Sequence, residues 1–156
     1  MYVEFICRLF SERDRSIEAD LAGKVYDRFG GHTYYVQKTM NEVFSNTPQG
    51  GQCTDETVQG SLQAILNGND MLYRETLLRM TLRQKKLLYA IATGGRASRI
   101  TSTAFVKRHK LVSTSSVQSA IKKLCDEEFV VDEMKRYRVS DRFFALWIRR
   151  MLSLDD

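Results

Sequence analysis

The chain has 156 residues, 43% of them apolar and 28% charged, which excludes a disordered chain and suits one ordinary core or two small ones. No run approaches the ~18 apolar residues that a membrane span needs, so a cytoplasmic protein without a membrane partner is expected. The net charge of +5 is uneven, because residues 1–70 hold six Lys/Arg against ten Asp/Glu and residues 71–156 hold eighteen against nine. A basic second half is typical of a polyanion binder, although a solvated surface or an acidic partner would also explain it.

Four helices are predicted in the first half of the chain. Apolar residues at helical spacing place them at about 2–11, 16–29, 32–45 and 55–67. Ser16 is predicted to cap the second of them, which Gly30 and Gly31 end in the left-handed conformation. The polar segment NTPQGGQ that follows the third helix is the clearest loop in the chain.

A second unit is predicted after the segment NGND at 67–70. A connecting helix at 71–80 leads to the first of three short helices, which Thr81 and Gln84 open with the S/T-x-x-E/Q capping box. The second short helix is expected at 101–111. The third is expected to open with another capping box, formed by Ser115 and Gln118.

A β-hairpin and a final helix are predicted to complete this unit. Two β-prone triplets, 129–131 and 137–139, enclose the polar turn DEMKR, and the last helix is expected to begin at Ser140 or Asp141. Three helices followed by a hairpin is the order of a winged helix-turn-helix, whose third helix can enter a major groove. The predicted fold is mainly α, with a helical bundle before a winged helix-turn-helix that has a two-stranded β-hairpin wing.

The third short helix is a candidate for reading DNA. Val117, Ala120, Ile121 and Leu124 fall at i, i+3, i+4 and i+7, so they are predicted to pack inward. The polar side chains then predicted to face DNA are Ser115, Ser116, Gln118, Ser119 and Lys122. A plain solvated or protein-facing helix surface would have the same composition.

The hairpin is a candidate for contacting phosphates. Lys135, Arg136 and Arg138 cluster there, and cationic side chains on a wing can neutralise the DNA backbone. Nearby acidic residues dilute this charge.

No catalytic or metal site is predicted. The pair Gly23-Lys24 lacks the preceding glycine and the following Ser or Thr of a phosphate loop, and His32 and His109 lie too far apart in sequence to suggest a His pair. The three cysteines form no CxxC motif, so reduced thiols are expected.

Four strings in order resemble the C-terminal part of archaeal-type AAA+ ATPases of archaea and bacteria. The strings are YDRFGGHTYYVQKTMNEVF (26–44), LRQKKLLYAIATGG (82–95), ITSTAFVKRHKLVSTSSVQSAIKKL (100–124) and YRVSDRFFALWIRRM (137–151). The resemblance implies a lid-like helical subdomain at 1–69 and a winged helix domain at 70–156. It also implies a fragment or degenerate paralogue, because the P-loop domain that precedes the lid in that family has no counterpart here.

The resemblance implies a function as well. The chain would be a non-catalytic C-terminal module, with duplex DNA, the P-loop domain of its parent or another protein as partner, and with ATP and Mg²⁺ bound by the parent's ATPase domain. Residues near the nucleotide in such a parent would be Gly31, His32, Thr33 and Tyr34. The alternative is a winged helix that regulates the parent ATPase through protein contacts and does not bind DNA.

Overall fold

A computed structural model describes residues 1–154 of the chain. The chain divides into two units, the first comprising Met1–Gly68 and the second beginning at Asn69. No helix within the described residues is both long and apolar enough to cross a membrane.

The first unit consists of four helices, as the apolar spacing predicted. They are α1 (Tyr2–Glu12), α2 (Ala19–Arg28), α3 (Thr33–Asn46) and α4 (Asp55–Gly68). Their inward faces form one apolar core, in which Val25, Phe29, Val36 and Val43 are almost completely buried.

The predicted Ser16 cap is wrong, because α2 begins three residues later. Ser16 instead forms a parallel bridge with Gln52, in which its N–H donates to the Gly51 carbonyl (3.0 Å) and its carbonyl accepts from the Cys53 N–H (2.8 Å). The backbone at Ser16 is therefore paired with the loop before α4 and cannot begin a helix.

The turn between α2 and α3 requires glycine, as predicted. Gly30 and Gly31 have φ of 54° and 70°, in the left-handed region that favours glycine. A Cβ added at Gly31 would lie 2.6 Å from the Tyr26 hydroxyl oxygen, so any larger residue here would also displace the exposed Tyr26 ring.

The second unit contains five helices and three short strands among its described residues. They are α5 (Asp70–Leu78), α6 (Leu82–Gly94), β1 (Ala97–Ser98), α7 (Thr103–Arg108), α8 (Thr114–Asp126), β2 (Val130–Asp132), β3 (Arg136–Val139) and α9 (Arg142–Leu154). The sheet is antiparallel with the order β1-β3-β2. The predicted hairpin is thus present. Strand β1 lies beside it and was not predicted, because two residues are too few to show the alternation of apolar and polar side chains typical of a strand.

Capping residues define where two of the short helices begin. The predicted box before α6 is confirmed, because the Gln84 N–H donates to Thr81 Oγ1 (3.3 Å) and the Thr81 N–H donates to Gln84 Oε1 (2.7 Å). The predicted box at the start of α8 is wrong, since Ser113 caps that helix and accepts from the Ser116 N–H at 3.2 Å.

Two side-chain hydrogen bonds join α5 to α9 and to Asp141, the residue just before α9. The Trp147 indole N–H donates to Asp70 (2.9 Å), and the Tyr73 hydroxyl donates to Asp141 (2.9 Å). Hydrogen bonds from Arg74 and Trp147 hold the pKa of Asp70 below its ordinary value. Asp141 also accepts from the N–H of Phe143 (2.9 Å), which confirms it as one of the two predicted starting residues of α9.

Candidate nucleic-acid interface

The apolar side of α8 faces the core of the second unit. The four predicted inward residues, Val117, Ala120, Ile121 and Leu124, are all buried. Burial of this stripe directs the opposite, polar side of α8 away from the core.

The predicted DNA-facing residues of α8 differ in exposure and in hydrogen bonding. Ser115, Gln118, Ser119 and Lys122 are exposed, whereas Ser116 is half-buried. The Ser116 hydroxyl donates to the Ser113 carbonyl (3.1 Å), so its proton is not available for a phosphate oxygen.

The two lysines of α8 differ in whether they form an ion pair. The Lys123 ammonium lies 3.0 Å from Glu127, whereas Lys122 forms no ion pair with any residue that the structure describes. Lys122 is therefore the side chain of α8 with an unpaired positive charge.

The sheet of the wing has one buried and one outward face, because side chains alternate along the central strand β3. Tyr137 and Val139 are buried, whereas Arg136 is exposed and Arg138 is 20% exposed. Two of the predicted phosphate-contacting residues thus share the outward face.

Glu133 neutralises part of this face. Its carboxylate accepts from Arg138 Nε at 2.9 Å and lies 3.4 Å from Arg96 Nη2. The hydrogen bond from Arg138 is the main reason that the pKa of Glu133 lies below its ordinary value, with the charges of Arg138 and Arg96 contributing further. Arg138 is consequently engaged with a carboxylate, in contrast to the more exposed Arg136.

Arg96 is a cation of the wing that the sequence did not reveal. It directly precedes β1, which pairs Ala97 with Tyr137 of β3, and this pairing brings Arg96 to Glu133. A third strand predicted beside the hairpin would have placed Arg96 in the wing. Strand β1 has only two residues, so no sequence pattern indicates it.

The tip of the wing is a two-residue hairpin loop. Glu133 and Arg136 exchange both backbone hydrogen bonds (2.8 and 3.2 Å), and the intervening Met134 and Lys135 have φ of 54° and 63°. This is the type I′ arrangement that Asn and Gly usually occupy. The Lys135 side chain is 85% exposed, with its ammonium 3.6 Å from Asp132, so the turn presents a cation at the tip.

The residues expected near a nucleotide lie together in the first unit, at the turn between α2 and α3. His32 precedes α3 without a side-chain cap, and its ring centroid lies 4.9 Å from that of Tyr35. Thr33 is exposed and Tyr34 is 59% exposed. Residues 1–154 contain no group of three His, Cys, Asp or Glu side chains that could hold a metal ion.

Three helices followed by a wing define the second unit as a winged helix. A family model described as "Probable winged helix domain" matches residues 71–150. The chain belongs to that family.

A solved structure extends the likeness across both units. The chain is similar to the Walker-type ATPase of Pyrococcus abyssi, with 20% sequence identity and a TM-score of 0.66 over 94% of this chain. The match spans 40% of the length of that ATPase. No curated protein matches the chain.

Proposed function

We propose that the winged helix of this chain binds duplex DNA, with the wing against the phosphates and α8 toward the major groove. The main support is the outward face of the wing, where exposed Arg136 adjoins Lys135 at the tip. When lysine and arginine side chains contact DNA phosphates, they displace the counterions bound there, and the release of these ions favours binding. The exposed Gln118 and Lys122 of α8 add a base-edge donor and acceptor and a further charge.

The position in a larger protein is a second part of the proposal. We infer a non-catalytic C-terminal module of an archaeal-type AAA+ ATPase, supported by the order of the four resembling strings and by the fold likeness to a Walker-type ATPase. In such a parent, ATP and Mg²⁺ belong to the P-loop domain. The residues of this chain toward the nucleotide would be Gly31, His32, Thr33 and Tyr34.

A titration of fluorescent duplex DNA at two salt concentrations tests the DNA proposal. If about three phosphates are contacted, the affinity should fall roughly 40-fold between about 50 and 200 mM salt. The double variant Lys135→Glu/Arg136→Glu should abolish most of the binding at the lower salt concentration.

The matched control is Arg28→Glu/Lys38→Glu, which reverses two exposed charges of the first unit and should bind DNA nearly as the parent chain does. Absence of binding at low salt, or an equal loss in both double variants, would contradict the proposal.

The alternative is a winged helix that regulates the parent ATPase by contacting protein. It is favoured by a groove between α6 and α8 that is lined in part by the exposed side chains of Leu82 and Val112. Weak DNA binding together with tight association with a separate P-loop domain would support this alternative over the first proposal.

A further inference from the structure

A groove of about 610 Å³ lies between the start of α6 and the first half of α8. Its volume is within the range of ~300–1,000 Å³ that is common for binding pockets. Ser116 and Ser119 of α8 line one side, and Leu82 and Arg83 of α6 line the other.

The groove exposes aliphatic surface. Leu82 is 68% exposed and Val112, in the link before α8, is 63% exposed. A small recess of about 10 Å³ adjoins the groove and is lined in part by Leu87 and Val117. Large aliphatic side chains exposed together at a concave surface are typical of sites that bind protein.

The charged residues that line the groove are all basic. They are Arg83, Lys86 and Lys123. Lys123 is paired with Glu127, whereas Arg83 and Lys86 form no ion pair within residues 1–154. The complementary ligand is therefore acidic as well as apolar.

We propose that this groove binds an acidic amphipathic helix of a protein partner. An apolar side chain of that helix would lie between Leu82 and Val112, and its carboxylates would pair with Arg83 and Lys86. A helix in a groove buries side chains at i, i+4 and i+7 in this way. A nucleic acid backbone would meet the charges but would leave the exposed leucine and valine without apolar contacts. The inference does not depend on DNA binding by the wing.

Binding of a designed peptide to the whole chain tests the proposal. The probe is a fluorescein-labelled helical peptide with Leu at i, i+4 and i+7 and Glu at the flanking positions. A scrambled peptide of the same composition has the same charge without the apolar stripe. Fluorescence anisotropy should show micromolar binding of the amphipathic peptide and at least tenfold weaker binding of the scrambled one.

Variants of the chain assign this binding to the groove. Arg83→Glu/Lys86→Glu should weaken peptide binding at least tenfold, and Leu82→Ser should weaken it severalfold without a change of charge. The matched control, Lys107→Glu/Arg108→Glu, reverses two exposed charges of α7 and should leave peptide binding within twofold. A thermal melt of each variant excludes unfolding as the cause.

The outcomes separate this proposal from the DNA proposal. The wing variant Lys135→Glu/Arg136→Glu should keep its affinity for the peptide. No binding of the amphipathic peptide, equal binding of the scrambled one, or equal loss in the α7 control would overturn the inference. A greater loss of duplex DNA than of peptide in Arg83→Glu/Lys86→Glu would assign the groove to nucleic acid instead.

Discussion

The carboxylate of Glu133 offsets part of the positive charge on the outward face of the wing. Glu133 engages Arg138 at 2.9 Å and Arg96 at 3.4 Å, so two guanidinium groups share one negative partner. For a phosphate to bind here, it must compete with that carboxylate. Glu133 therefore lowers the affinity of the wing for polyanions.

Replacing Glu133 by Gln should consequently strengthen DNA binding. The substitution removes one negative charge and releases Arg96 and Arg138. Because solvent screens these exposed ion pairs, the Kd for DNA should become only severalfold tighter. Anisotropy titration of duplex DNA at low salt measures the change. Glu12→Gln, which removes the partner of Arg8 in α1, is the control and should have little effect. Unchanged or weaker binding of the Glu133 variant would show that its arginines do not contact DNA.

The sequence predicted local backbone conformations better than contacts between side chains. The left-handed Gly30 and Gly31 could be predicted because that requirement is local. The engagement of Arg138 by Glu133 could not, because it depends on how the hairpin folds back. Ser115 shows the same limit, since its S-x-x-Q pattern fits a cap but Ser113 occupies that position.

The wing hairpin contains a loop whose backbone conformation is unfavourable for its residues. Its loop places Met134 and Lys135 in the left-handed region, which costs an ordinary L residue about 1 kcal/mol. Met134 is 96% exposed, so little packing offsets that cost. The hairpin is therefore expected to open more readily than the helices around it.

Met134→Asn should stabilise the hairpin by about 0.5–1 kcal/mol, because Asn tolerates positive φ and favours this turn type. Native-state hydrogen exchange of the β2 and β3 amides measures the gain locally. Met71→Asn is the matched control, since Met71 is also largely exposed, at 74%, but lies in α5, where Asn is a weaker helix former than Met. Exchange that is unchanged or faster in the wing would show that the turn is not strained.

Elements were predictable wherever their apolar residues showed a helical period. All nine helices that the structure describes were expected, and the ends of α2 and α7 shift most from the predicted positions. For α7 the predicted range 101–111 exceeds Thr103–Arg108, because Ser102 caps the helix and His109 already lies outside it. Strand β1 has two residues and pairs with β3. Such a short strand has no alternating pattern from which the sequence could predict it.

At the scale of the whole molecule, acidic and basic residues separate between the halves of the chain. Residues 1–70 carry a net charge of −4 and residues 71–156 one of +9, by the count of Lys/Arg against Asp/Glu. Two proposed anionic ligands, duplex DNA and an acidic helix, therefore converge on the same unit. The two proposed surfaces also share residues, because Ser116 and Ser119 lie on the outward side of α8 and line the groove.

Shared residues predict that the two ligands compete. With an acidic amphipathic peptide at about ten times its own Kd, the apparent Kd of duplex DNA should rise about elevenfold, as for any competitive ligand. The scrambled peptide, equal in charge, corrects for simple competition between polyanions. In Arg83→Glu/Lys86→Glu the peptide should lose this effect while DNA still binds through the wing.

An apparent Kd for DNA that stays constant at saturating peptide would mean that both ligands bind at once. The wing alone would then hold the duplex, and α8 would face the partner helix. A rise that follows the peptide's own binding curve would instead make α8 a surface for which DNA and protein compete. In that case an acidic partner would release DNA from this winged helix without touching the wing.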